Sequence, residues 1–96
     1  VLLAEEAGQP VGMLTYSERP NLYHAGPSAM IEELVVRAGY RGRGLGSALI
    51  TELLARLVQI GCTEVSVTTM PGNEAAQRLY RRHGFVDEAV FLERHF

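Results

Sequence analysis

The chain contains no lysine; all nine of its basic residues are arginine. Its acids are ten glutamates and a single aspartate, Asp87, so the formal net charge is only −2. The basic residues are spread along the chain, which gives nucleic-acid binding no support from charge. Cys62 is the only cysteine. It cannot form an internal disulfide and suits a reducing compartment, the cytoplasm. His24, His83 and His95 lack metal-ligand spacing and no Cys/His cluster exists, so no metal is expected. No apolar run approaches the ~20 residues of a membrane span, and no charged leader precedes an apolar core. There are no internal repeats and no low-complexity tract.

What remains is one domain of 96 residues, small for an enzyme with a coenzyme site. The chain has no starting Met, and Val1 opens inside an expected strand, as a piece of a longer product would.

The periodicities give an order of elements. Val1 to Glu6 and Val11 to Ser17 read as a β-hairpin around the turn Ala7-Gly8-Gln9-Pro10. Residues 19–28 hold two prolines and read as a loop. Ala29 to Arg37 is a third strand, whose dense apolar end suits a strand covered on both faces. In the next helix Leu49, Leu53 and Leu57 form one stripe and Ile50, Leu54 and Val58 the adjacent one, with Gly61 as C-cap. Thr63 to Thr69 is β-branched and alternates, as a strand does. Asn73 can cap a last helix on which Ala76, Leu79, Tyr80 and His83 share a face, and Gly84 stops it. Phe85 to Phe96 is expected to supply a bent strand or hairpin. A strand, crossover helix and strand imply parallel pairing of the third and fourth strands. The fold class is therefore α/β, a mixed sheet with flanking helices.

The most informative stretch is Arg41-Gly42-Arg43-Gly44-Leu45-Gly46, between the apolar run Leu34-Val35-Val36 and the helix that begins near Ser47. A strand, a glycine-rich turn and a helix start form an anion site: glycine lets backbone approach a ligand, and the first helical N–H groups lack internal partners. A phosphate-bearing ligand is expected on residues 41–47. Gly39 and Gly44 have P-loop spacing, but Leu45 and Gly46 stand where Lys and Ser/Thr are needed. A dinucleotide fingerprint fails because Gly46 comes one residue early.

Arg41-x-x-Gly44-x-Gly46 after a strand resembles the Gln/Arg-x-x-Gly-x-Gly/Ala signature of GCN5-related N-acetyltransferases (GNAT). Downstream, Asn73-Glu74-Ala75-Ala76-Gln77-Arg78-Leu79-Tyr80 and Arg81-Arg82-His83-Gly84-Phe85 are similar to that family's Asn-x-x-Ala-x-x-x-Tyr-x-x-x-Gly-Phe segment. The likeness runs in order from about Met30 to Val86. It implies a GNAT-like acyltransferase fold lacking the strand and two helices that usually precede the first hairpin. It also implies direct acetyl transfer from acetyl-coenzyme A to a primary amine, with homodimers frequent; the acceptor is expected to be a small molecule.

The resemblance then implies roles. The amides of Arg41, Gly42, Arg43, Gly44, Leu45, Gly46 and Ser47 would hold the pyrophosphate, with added charge from the Arg41 and Arg43 side chains. Amides of Leu34, Val35 and Val36 would meet the pantetheine arm and thioester, that of Leu34 nearest the carbonyl; as side chains these three are equally plain core. Asn73 would hydrogen-bond the pantetheine arm, or serve only as a helix cap. Tyr80 would protonate the leaving thiolate, against the ordinary alternative of a core tyrosine. The general base would be Glu32 or Glu33. Simple alternation puts Glu32 on the face of Leu34 and favours it, and a bulge would swap the faces. Ile31-Glu32-Glu33-Leu34 also looks like the equivalent strand of spermidine/spermine-type acetyltransferases, in which the matching Glu assists amine deprotonation through water. The other candidate functions are a protein N-terminal acetyltransferase and a non-catalytic acyl-CoA-binding or regulatory domain.

Overall fold

A computed structural model of the chain describes residues 1–20, 26–88 and 92–96. The elements are β1 (Leu2–Glu6), β2 (Gln9–Arg19), β3 (Ser28–Val36), α1 (Leu45–Gln59), β4 (Glu64–Val67) and α2 (Glu74–Arg82). The strands form one sheet in the order β1-β2-β3-β4. The first two junctions are antiparallel and β3–β4 is parallel, as the crossover through α1 requires.

Local chemistry explains the boundaries. The hairpin turn is only Ala7-Gly8, both at positive φ (52° and 77°), the primed geometry that matches strand twist. Gln9 and Pro10, expected in the turn, already pair with Glu6 and Glu5. Pro10 lies at a register shift beside Ala4/Glu5, where a missing N–H is tolerated. Both helices end in the same motif. After α1, Gly61 N–H donates to Val58 O and Cys62 N–H to Leu57 O. After α2, Gly84 N–H donates to Arg81 O and Phe85 N–H to Tyr80 O. These are Schellman closures, which satisfy the last helical carbonyls. The second brings the Phe85 ring edge-on to Tyr80 with centroids 5.5 Å apart.

The core is a single cluster in which Leu49, Ile50, Leu53 and Leu57 of α1 meet Leu2, Leu14, Ala29 and Ile31 of the sheet and Tyr80 of α2. Each large aliphatic side chain buried there contributes about 1.5–3 kcal/mol. The opposite face of the sheet differs from the expectation of two covered faces. Leu3 pairs with Met13 and Met13 with Val35, so the three form one row across the sheet. Leu3 is 53% exposed and Val35 49%; no described helix lies over them. The expected final strand is also absent among the described residues: 85–88 and 92–96 carry no strand, and 89–91 lie outside the described set. What ties residues 85–88 down is the Phe85 closure and an exposed Arg81–Asp87 ion pair at 3.1 Å. Of the loop expected at 19–28, Arg19 belongs to β2 and Ser28 to β3, and residues 21–25, His24 among them, also lie outside that set.

Candidate functional site

The parallel pairing of β3 with β4 covers only Ser28↔Glu64 to Ile31↔Val67. β4 ends there, two residues short of the expected Thr69, while β3 runs on to Val36 paired with β2 alone. The direction of the amides on that stretch follows from one bond. Arg37 N–H donates to Val11 O on β2 at 2.8 Å. Alternate residues of a strand aim their N–H groups at the same edge. Val35 therefore turns its N–H toward β2, and Leu34 and Val36 turn theirs to the edge that β4 has left. Val35, included among the candidate donors, supplies none on that edge. The Val36 carbonyl points there as well, and the Arg41 guanidinium donates to it through Nε at 3.2 Å.

That bond starts the glycine loop. Gly42 and Gly44 have φ of 81° and 76°, and a Cβ built on either meets nothing within 4 Å. The glycines are there for backbone conformation, with open space above them. Gly44 is the N-cap of α1, with no side-chain cap and no acid in the first turn. The helical ladder opens with Ala48 N–H to Gly44 O at 2.9 Å. The N–H groups of Leu45, Gly46 and Ser47 precede it, unclaimed by any helical carbonyl. Orphan donors, an uncompensated helix dipole and open space together suit a diphosphate. The arginine side chains are placed otherwise than expected. Arg41 is turned back onto Val36, and Arg43 lies over the Tyr40 ring at 4.9 Å with Glu6 3.9 Å from its guanidinium.

α2 packs against this loop. A Cβ on Gly46 would approach Leu79 Cδ2 to 3.3 Å and Leu34 Cδ2 to 3.8 Å, so the missing side chain is what lets strand, loop and helix converge. Asn73 caps α2, its Oδ1 accepting from Ala76 N–H at 3.2 Å. Gln77 steadies the preceding turn by donating to Met70 O and Pro71 O. Tyr80 is 6% exposed, and among the described residues its hydroxyl has no protein partner. Desolvation by burial raises its pKa above the ordinary 10.0, so the phenol holds its proton at neutral pH. Tyr80 also lines an open groove of about 750 Å³ with Met30, Val65, Val67, His83 and Phe85. That groove reaches neither Leu34–Val36 nor the glycine loop.

The acids require a correction. The β2–β3 register runs Leu14↔Leu34, Thr15↔Glu33, then Tyr16↔Ile31. Glu32 is the extra residue of a β-bulge. Leu14, Tyr16, Ile31 and Leu34 all belong to the α1-facing core. Glu33, opposite Thr15, points to the other side, and so does Glu32, which follows inward Ile31. Simple alternation, which set Glu32 beside Leu34, fails because pairing with β2 inserts the bulge. Both carboxylates are exposed. Thr15 Oγ1, on their side of the sheet, is buried with no partner among the described residues.

Sequence reasoning missed one contact. Ser47 Oγ lies 2.7 Å from His83 Nε2. The only signal was that His83 shares the helix face of Leu79 and Tyr80. Among the described residues no three His, Cys, Asp or Glu side chains cluster as metal ligands would, and no helix is long and apolar enough to cross a membrane.

Comparison with known proteins agrees with this geometry. L-2,4-diaminobutyric acid acetyltransferase of Streptomyces avermitilis is 38% identical over 82 residues, 80% of this chain and 44% of that protein. A solved structure from Agrobacterium tumefaciens str. C58 superposes with TM-score 0.87 at 32% identity, covering 97% of this chain and 66% of that one. Aminoglycoside N-acetyltransferase AAC(6')-Iy in complex with CoA superposes with TM-score 0.80 at 26% identity, covering 98% and 73%. The chain thus spans about half to two thirds of the length of the first relatives it matches. The profile of the acetyltransferase (GNAT) family matches residues 1–85, and the chain belongs to that family.

Proposed function

We propose that this chain carries the coenzyme half of an acetyl-CoA-dependent N-acetyltransferase that acts on a primary amine of a small molecule. The observation that carries the reading is the uncapped N-terminus of α1, with its orphan N–H groups behind left-handed Gly42 and Gly44. The diphosphate would lie on the amides of residues 41–47. Pantetheine would run along the edge of β3 that β4 vacates, accepting from Leu34 and Val36 N–H and from the Asn73 side-chain amide.

In this reading the acceptor approaches on the side of Glu32 and Glu33, where two exposed carboxylates attract an ammonium group. One of them, directly or through water, takes a proton from it. The amine nitrogen then bonds to the acetyl carbon while the C–S bond breaks. Leu34 N–H stabilises the charge that develops on the carbonyl oxygen. Tyr80, a neutral phenol, donates its proton to the departing sulfur and is reprotonated by the second proton, which the nitrogen gives up as the amide forms. An unpartnered hydroxyl suits that role better than a purely structural one. A small amine is favoured by the likeness to a diaminobutyrate acetyltransferase, and a lone free thiol fits a reducing cytoplasm.

Calorimetric titration with coenzyme A tests the cradle, and release of free thiol from acetyl-CoA with a panel of diamines and aminoglycosides tests transfer. Gly44→Ala forces a Cβ into left-handed backbone, at about 1–2 kcal/mol, and should weaken coenzyme binding. Wild type that does not bind coenzyme A refutes the reading; binding without turnover on any amine turns it into an acyl-CoA-binding domain.

A further inference from the structure

Ser47 and His83 are 36 residues apart in sequence, yet their side chains meet at 2.7 Å in a half-buried contact. Ser47 stands in the first turn of α1, and His83 is the C-cap of α2. The bond therefore joins the N-terminus of one helix to the end of the helix that carries Tyr80. Next to it, Gly46 gives Leu79 its close approach. His83 N–H donates to the Tyr80 carbonyl at 2.9 Å, so ring and tyrosine belong to one closed turn.

Two proton arrangements satisfy this bond. If Nε2 accepts, the Ser47 proton is spent on the ring and the hydroxyl offers only lone pairs elsewhere. If Nε2–H donates, the Ser47 oxygen accepts from the ring and its own proton is left for another acceptor. An anion on the loop distinguishes the two. It is repelled by the first and receives a charge-assisted O–H···O⁻ bond from the second.

We propose that His83 is a positioning residue: its Nε2–H turns the Ser47 hydroxyl toward the diphosphate and thereby locks α2, with Tyr80, in register with the bound coenzyme. This rests on the reading of residues 41–47 as a diphosphate cradle. It predicts a ring tautomer that is set by the phosphates and not by the thiol arm.

The test uses the ¹⁵N-labelled chain and long-range ¹H–¹⁵N spectra of the histidine rings, with saturating coenzyme A and, separately, with pantetheine, which has no diphosphate. Coenzyme A should fix His83 with a proton on Nε2, as the neutral tautomer or the imidazolium; pantetheine should leave the ring as in the free protein. By calorimetry His83→Leu should weaken coenzyme A about tenfold. His83→Gln, which keeps an N–H donor, should recover most of that, and pantetheine should bind all three proteins alike. A coenzyme-bound ring protonated only on Nδ1, or an equal loss for pantetheine and coenzyme A, overturns the proposal while leaving the cradle intact. Wild type that fails to bind coenzyme A removes the cradle and the proposal together. Should His83→Leu not fold, the wild-type spectra decide alone.

Discussion

Ile31 and Val67 are the last rung of the parallel ladder, and directly beyond them β4 ends while β3 bulges at Glu32. One point in the sheet thus opens a strand edge and re-aims an acid. Tyr80 shares the core cluster with Ile31 and lines the open groove with Val67.

Tyr80 is the first test of that grouping. Tyr80→Phe keeps the ring in the core and removes only the hydroxyl. Turnover should fall by about 10²-fold, the low end for a positioned acid, while coenzyme A affinity by calorimetry stays within about twofold. Unchanged turnover would remove Tyr80 from the acid role.

The same residue makes stability depend on alkaline pH. Its folded pKa is raised above 10.0 by burial. Above pH ~10 the unfolded chain loses this proton while the folded chain retains it. The contribution is complete below the unfolded value and is lost as pH rises through the folded one. Between about pH 8 and 11, wild type should lose Tm relative to Tyr80→Phe only at the upper end. Parallel curves throughout would mean that the phenol ionises as readily folded as unfolded.

For the acids, Glu32→Gln and Glu33→Gln should differ in pH–rate profile. The bulge re-aims Glu32, so its substitution should depress kcat/KM by about 10²-fold near neutrality and progressively less at high pH, where free amine abounds. Glu33→Gln should shift the whole profile little. If Glu33→Gln shows the pH-dependent loss instead, the base is Glu33; a flat loss in both points to the sheet.

Asn73 has two separable roles. Asn73→Ala removes the cap to Ala76 N–H and should cost about 1 kcal/mol. Asn73→Asp keeps a capping oxygen but loses the amide N–H₂. It should restore Tm yet leave coenzyme A affinity at the level of the alanine variant. Full affinity in the aspartate variant would make Asn73 a cap only.

The elements legible in the sequence were those set by local chemistry. The Leu49/Leu53/Leu57 stripe, the Asn73 cap, the stops at Gly61 and Gly84 and the strand–glycine–helix order all depend on residues within a turn or two of each other. What escaped depends on partners far along the chain. The bulge at Glu32 exists because β2 pairs with β3 out of step there, and no alternation within β3 reveals it. β4 halts at Val67, where its pairing with β3 ends, although Thr68 and Thr69 have strand propensity. Phe85 reads as the start of a strand, yet its backbone is taken by the closure of α2. Ser47 and His83 come together only when two helices dock.

The apolar row Leu3–Met13–Val35 has a consequence at the bench. A fully native chain should bind an environment-sensitive dye such as ANS through that strip. Fluorescence gained on mixing the two is therefore no sign of partial denaturation, and thermal melts are better followed by circular dichroism.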